Sequence, residues 1–166
     1  ATAPETIKAI SQRDDMLVGS GTVLSVDQVK QAMDAGATFI VSPGFNPKVV
    51  AYCVENHIAI TPGVSNPTDI EMGLEFGLEV LKFFPAEAFG GLKTLKAMSA
   101  PYTMMQFIPT GGINAANLAD YLRLPMVHAC GGSFMASKKL IAARQFDEIA
   151  RLAESAVALV KSIRSP

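Results

Sequence analysis

The chain is predicted to be an α/β protein with parallel strands. Three observations predict it: short apolar runs rich in β-branched residues or Phe, longer segments of helical period between them, and Gly or Pro closing nearly every run. The runs read as strands are Met16 to Gly19, Thr38 to Ser42, Ile58 to Thr61, Val80 to Phe84, Gln106 to Pro109 and Val127 to Cys130. Their centres lie roughly twenty to twenty-five residues apart, about what a strand, a short loop and a two- to three-turn helix occupy in a helix-covered parallel sheet.

The helices carry ordinary punctuation. The chain opens with a helix around Pro4 to Arg13, where Pro4 suits the first turn. Ser25 is placed to cap the helix through Val29 and Met33, with Asp27 favouring its positive end and Gly36 stopping it. Asn114 is expected to cap the helix containing Leu118 and Leu122. Ser42-Pro43-Gly44-Phe45-Asn46-Pro47 echoes Thr61-Pro62-Gly63-Val64-Ser65-Asn66-Pro67, so one strand-to-helix turn is used twice. From Phe146 to Ile163, apolar residues at Ile149, Leu152, Ala153, Ala156, Leu159, Val160 and Ile163 form one stripe of a long amphipathic helix.

With 49% hydrophobic and 17% charged residues, the 166 residues fit one domain over 1–166, large enough to bury a core. Fourteen Lys plus Arg against fifteen Asp plus Glu leave a net charge of −1, which gives no electrostatic footprint for nucleic acid or an anionic membrane. No apolar run approaches the ~20 residues of a membrane span, and the opening residues lack a signal-peptide pattern, so a cytoplasmic protein is expected. Cys53 and Cys130 lie far apart and there are only two His, which supports neither a disulfide framework nor a zinc site. Metal-free chemistry is expected.

A closed parallel barrel has eight strands, and six are visible. The residues alone allow two readings: a barrel whose first two βα units precede Ala1, or a six-stranded open sheet.

Lys82 is the most informative residue. Within Val80-Leu81-Lys82-Phe83-Phe84-Pro85 its ammonium would be flanked by apolar strand residues, and burial lowers a lysine pKa. A neutral amine near the C-terminal end of a barrel strand is the layout for Schiff-base chemistry on a ketone. The other reading is an edge-strand lysine that snorkels to solvent. Phe83 and Phe84 read as packing.

Two glycine turns follow late strands, Thr110-Gly111-Gly112-Ile113-Asn114 and Gly131-Gly132-Ser133. Glycines allow close backbone approach, and exposed N–H groups at a helix start attract phosphate, a site often built from the last two loops of a barrel. Each pair could also be a tight turn alone. Gly19-Ser20-Gly21-Thr22 offers the Thr22 hydroxyl to a substrate carboxylate or to the following helix as a cap. Glu87 reads either as an acid or base near Lys82 or as a residue that orients its loop. His128 reads as a core histidine, His57 as a helix-terminal surface residue, Met104-Met105 as core or interface filler, and Asp14-Asp15 as a solvated turn.

Taken together, Gly21-Thr22-Val23-Leu24, Ser42-Pro43-Gly44, Pro62-Gly63-Val64-Ser65, Lys82-Phe83-Phe84-Pro85-Ala86-Glu87, Pro109-Thr110-Gly111-Gly112-Ile113 and Gly131-Gly132-Ser133 resemble, in order and spacing, the 2-keto-3-deoxy-6-phosphogluconate aldolase family over essentially the whole chain. The resemblance implies a class I aldolase on a (β/α)8 TIM barrel, six of whose eight βα units are visible, in a cytoplasmic homotrimer of the Entner-Doudoroff pathway. It implies no metal and no cofactor beyond the covalent Schiff base between substrate and Lys82. It makes Lys82 the Schiff-base lysine and Thr22 a contact of the pyruvate part. Pro43 and Phe84 would line the pocket, and Gly111, Gly112, Gly131, Gly132 and Ser133 would hold the phosphate. The implied ligands are a phosphorylated keto acid and pyruvate, with 4-hydroxy-2-oxoglutarate as a further substrate.

The family's acid/base glutamate and carboxylate-binding arginine belong to a Glu-x-Thr-x-Arg motif that does not occur in these residues. They are expected ahead of Ala1. Positioned proton transfer is worth roughly two to four decades in rate, so the 166 residues alone are expected to turn over poorly. The alternatives are the galactonate-derived aldolase, a 4-hydroxy-2-oxoglutarate specialist, or a non-catalytic trimeric assembly subunit. A thiamine phosphate synthase-like barrel would share the glycine loops but leave Lys82 unexplained.

Overall fold

The structure, a computed structural model, describes residues 3–164. The chain divides into two compact units, 1–82 and 83–166. Each is described by itself.

The first unit runs α1 (Ala3–Ile10), β1 (Gly19–Ser20), α2 (Val26–Asp34), β2 (Phe39–Val41), α3 (Pro47–Glu55), β3 (Ala59–Thr61), β4 (Gly63–Val64), α4 (Pro67–Glu75) and the start of β5 (Val80–Phe83). β1, β2 and β3 pair in parallel, with Gly19 opposite Phe39 and Phe39 opposite Ala59, a constant step of twenty residues that matches the expected spacing. The core beneath them is aliphatic and mostly β-branched: Val23, Val29, Ile40, Val49, Val50 and Ile60 are buried. Ser25 caps α2 as expected, its side chain accepting from the Gln28 N–H. The repeated Asn-Pro works as one device twice. Asn46 and Asn66 each accept a first-turn N–H, and the proline that follows enters a position where no amide proton is needed.

Two expectations change here. The first strand begins at Gly19 rather than Met16, because its partner β2 begins at Phe39, opposite Gly19, and the contact reaches back only one residue further, from the Thr38 N–H to the Val18 carbonyl. Met16 and Leu17 stay 52% and 79% exposed. The second copy of the repeated turn also contains a short strand, β4, where the sequence reads only a loop.

The second unit completes β5 and continues through a 3-10 turn (Glu87–Phe89), α5 (Gly91–Ser99), β6 (Gln106–Pro109), α6 (Leu118–Leu122), α7 (Lys138–Ala142) and α8 (Phe146–Arg164). Its buried residues are bulkier, with Phe83, Leu95, Met105, Phe107, Tyr121 and Val127 almost wholly covered. The long amphipathic helix forms as expected. Its last residue, Arg164, donates to the carbonyls of Leu122 and Val127, satisfying one acceptor at the C-terminal end of α6 and one beyond it. Ile149, Leu152, Ala153, Ala156, Leu159 and Ile163 are half-buried on this helix, whereas Val160 is exposed.

Three expectations are corrected in this unit. The run from Val127 to Cys130 is not a regular strand: it pairs at Val127 with Phe107, and Gly131 just beyond it with Thr110. His128 donates its backbone N–H to the Phe107 carbonyl but is exposed, so it is not a core histidine. Asn114 does not cap α6; it folds the turn before it, accepting from the Ala116 N–H, and the helix starts at Leu118.

The strands fall in two three-stranded sheets, ordered β1-β2-β3 and β4-β5-β6. A closed eight-stranded barrel is not formed among the described residues. No helix among them is long and apolar enough to cross a membrane.

Candidate active site

In the first unit, backbone bonds bring the C-terminal ends of successive strands side by side. The Val23 N–H donates to the Val41 carbonyl, the Ser42 N–H to Thr61 and the Lys82 N–H to Pro62. Thr22, Pro43 and Lys82 therefore emerge at the same end of their strands. The join between the second and third loops is tight: a Cβ on Gly63 would lie 2.0 Å from the Pro43 carbonyl oxygen, so only glycine fits. α2 is capped by Ser25, which leaves the capping alternative for Thr22 unsupported. Thr22 is exposed and Pro43 half-buried.

Lys82 is half-buried, and its place in β5 follows from strand alternation. Leu81 and Phe83 are fully covered on one face, while Val80 and Lys82 share the other. Desolvation holds the Lys82 ammonium below the usual lysine range, which enlarges the neutral, nucleophilic fraction.

In the second unit the structure brings both glycine turns together. The Gly131 N–H donates to Pro109, and a Cβ on Gly131 would lie 2.5 Å from Thr110 Oγ1. Gly111 and Gly112 both have positive φ, +95° and +85°, which favours glycine. Gly111 sits against Phe84 and Pro85, and the Gly112 Cβ position is filled by Glu87. Phe84 and Gly131 are half-buried, whereas Gly112 and Ser133 are exposed.

One physical premise from the sequence is corrected. Neither diglycine turn opens a helix, since α6 begins at Leu118 and α7 at Lys138. Amides aimed at an anion must come from the turn itself. Its carbonyls are turned away: Gly111 O accepts from the Glu87 N–H, and Gly112 O accepts from the side-chain amides of Asn114 and Asn117. In a trans peptide the C=O and the next N–H point oppositely, so the Gly112 and Ile113 N–H groups face away from these anchors.

Sequence reasoning missed the supports of this turn. Asn114 and Asn117 gave a signal in their spacing ahead of α6, but Tyr121 gave none beyond an apolar helix position. Tyr121 is wholly buried and its hydroxyl donates to Glu87 Oε1. These contacts of Glu87 favour the loop-orienting reading. Burial and the neighbouring Glu87 carboxylate both raise the Tyr121 pKa, which keeps the phenol a donor.

The aldolase family model for KDPG and KHG aldolases matches residues 1–152. The chain belongs to the KDPG and KHG aldolase family. A 2-dehydro-3-deoxy-phosphogluconate aldolase of Treponema pallidum is 50% identical over 159 residues, covering 95% of this chain and 76% of that protein. The solved 2-keto-3-deoxy-6-phosphogluconate aldolase of Zymomonas mobilis ZM4 with 3-phosphoglycerate is 39% identical with a TM-score of 0.87, covering 95% of this chain and 74% of that one. A KDPG aldolase from Legionella pneumophila, with pyruvate captured as a covalent carbinolamine, is 35% identical with a TM-score of 0.89, covering 93% and 76% of the two chains. This aldolase is therefore a member of a lyase family, and the resemblance carried by its motifs agrees with all three relatives.

Proposed function

We propose that this aldolase cleaves 2-keto-3-deoxy-6-phosphogluconate to pyruvate and glyceraldehyde 3-phosphate through a Schiff base on Lys82. The observation that carries the reading is a half-buried lysine, shifted toward its neutral form, at the C-terminal end of β5 in a member of this family. The carbinolamine of pyruvate in the Legionella relative is the first covalent state such an amine would form.

The Lys82 amine adds to the C2 ketone, and loss of water leaves a cationic iminium. A base takes the proton of the C4 hydroxyl, the C3–C4 bond breaks, and its electron pair flows into the iminium to give an enamine. Glyceraldehyde 3-phosphate departs; protonation at C3 and hydrolysis then release pyruvate and restore the amine. Thr22 contacts the pyruvate portion, Pro43 and Phe84 line the pocket, and Gly111, Gly112, Gly131, Gly132 and Ser133 receive the phosphate through backbone N–H groups. No metal takes part.

The same reading makes residues 1–166 one catalytic domain of the parallel (β/α)8 class, working in the cytoplasm as a homotrimer. Parallel pairing at a constant step supports the barrel class. Exposed Phe146 and Val157 on α8 supply apolar surface for association. Light scattering on the purified chain tests the trimer.

The function is tested by borohydride reduction with pyruvate. One reduced pyruvate attached to Lys82, found by peptide mass analysis, is the expected result. A folded sample that gains no mass, or gains it on another lysine, overturns the proposal.

A further inference from the structure

We propose that Glu87 and Tyr121 form a positioning pair that aims the Gly111-Gly112 turn, and so govern affinity for the phosphorylated end of the substrate rather than the bond-breaking step. The inference rests on the reading of that turn as the phosphate-binding loop, and adds two residues to which that reading gives no task.

Two contacts reach the turn from Glu87, and a third ties Glu87 to Tyr121. Its backbone N–H donates to the Gly111 carbonyl at 3.1 Å, which sends the Gly112 N–H the other way. Its Cβ and Cγ occupy the space beside Gly112, where a Cβ on that glycine would come within 2.6 and 2.5 Å of them. Its carboxylate accepts from the Tyr121 hydroxyl, and both groups abut Gly91, whose Cβ position would lie 2.8 Å from Glu87 Oε1 and 3.0 Å from the Tyr121 hydroxyl oxygen.

Tyr121 is the fixed end of this arrangement. It is fully buried in α6, with its backbone held by the Asn117 carbonyl, while Glu87 as a whole remains exposed. An exposed glutamate has many rotamers, and a charge-assisted bond to an immobile phenol selects one of them. The selected rotamer lies under Gly112. Without that bond the side chain is free to swing toward solvent and vacate the space beside Gly112, leaving the turn only its carbonyl anchors from the Glu87 N–H and the Asn114 and Asn117 amides.

The pair contributes nothing to electron flow, so its removal should separate two substrates. Tyr121→Phe and Glu87→Ala should raise KM for the phosphorylated keto acid roughly three- to tenfold, the range of one misaligned hydrogen bond. Both should leave kcat, and KM for 4-hydroxy-2-oxoglutarate, within about twofold, since that substrate carries no phosphate. Glu87→Gln retains an acceptor for the phenol and should lie near the parent.

Inorganic phosphate, titrated while the Gly112 amide is followed by NMR, should bind the two weakened variants less tightly in the same proportion. Unchanged phosphate affinity in both variants overturns the pairing, as does an equal loss on both substrates. A fall in kcat with KM intact would instead make Glu87 part of the chemistry and also overturn it. Pyruvate trapping on the parent reports Lys82 alone. A parent that binds phosphate at Gly112 but traps no pyruvate would therefore sink the functional reading and leave the pair standing, whereas a parent that traps pyruvate but binds no phosphate there would sink the pair.

Discussion

The two units solve one problem, fixing loops beyond strand ends, by different means. Residues 1–82 use regular parallel pairing, a β-branched core and two Asn-Pro caps, so the loop positions follow from strand register. Residues 83–166 have less regular strand pairing, and side chains hold the loops instead: Asn114 and Asn117 on Gly112, Arg164 on Val127, and Tyr121 on Glu87. A ladder tolerates changes in the loop side chains, whereas a side-chain brace fails when one group is removed. Lys82 sits on the ladder, and the turn proposed to receive phosphate sits on the brace.

The sharpest separation comes from Lys82→Met. Trapping of pyruvate and retro-aldol turnover should be lost entirely, while the melting temperature holds or rises, because a half-buried ammonium is replaced by an apolar chain of similar length. A large drop in melting temperature would mean the lysine has a structural task in β5.

Glycine substitutions probe both units next. Gly63→Ala drives a methyl into the Pro43 carbonyl, which is backbone and cannot swing aside. Gly112→Ala meets the flexible Glu87 side chain but adds a left-handed φ, about 1–2 kcal/mol for a non-glycine residue. Denaturant melts should place Gly63→Ala as the more destabilised, with Gly112→Ala showing the larger loss of phosphate affinity.

The same contrast explains what could be read in advance. The order and spacing of β1, β2 and β3 were legible because the Gly19, Phe39 and Ala59 register repeats with the hydrophobic pattern, and Ser25 announces its helix by type and place, whereas the two-residue β4 carries no such pattern. Lys82 was legible because an ammonium among Leu81, Phe83 and Phe84 is a local anomaly. The Glu87–Tyr121 bond joins residues 34 apart in sequence, and no local pattern encodes it. His128 misled for a different reason. Its run is apolar, but Val127 pairs with Phe107 and is buried, so the alternation turns His128 outward.

The rate of pyruvate trapping tests the environment of Lys82. An ordinary lysine titrates near ~10.4, and the half-buried one lies lower, so trapping should rise with pH and level off below that value. The sign for stability follows from the same shift. Between the folded and unfolded pKa values the unfolded chain binds the extra proton, so the penalty for burying Lys82 is absent above the unfolded value and grows as pH falls through the folded one. The stability advantage of Lys82→Met should therefore be larger at neutral pH than at alkaline pH.

The smallest effects belong to the asparagines, and they divide along the same line. Asn46→Ala removes the acceptor for the Lys48 N–H at the head of α3, and such caps are worth about 1 kcal/mol. The loss should appear wholly as stability, since the Asn46 side chain reaches only backbone: it accepts from Lys48 and donates to the Leu24 carbonyl. Asn114→Ala is different because Asn114 caps no helix, and its Nδ2 holds the Gly112 carbonyl alongside that of Asn117. With one of two donors left, the melting temperature should move less than for Asn46→Ala, yet inorganic phosphate should bind more weakly. If both variants lost stability alone, the carbonyl anchors would not be aiming the turn, and the division between a ladder unit and a braced unit would carry no functional meaning.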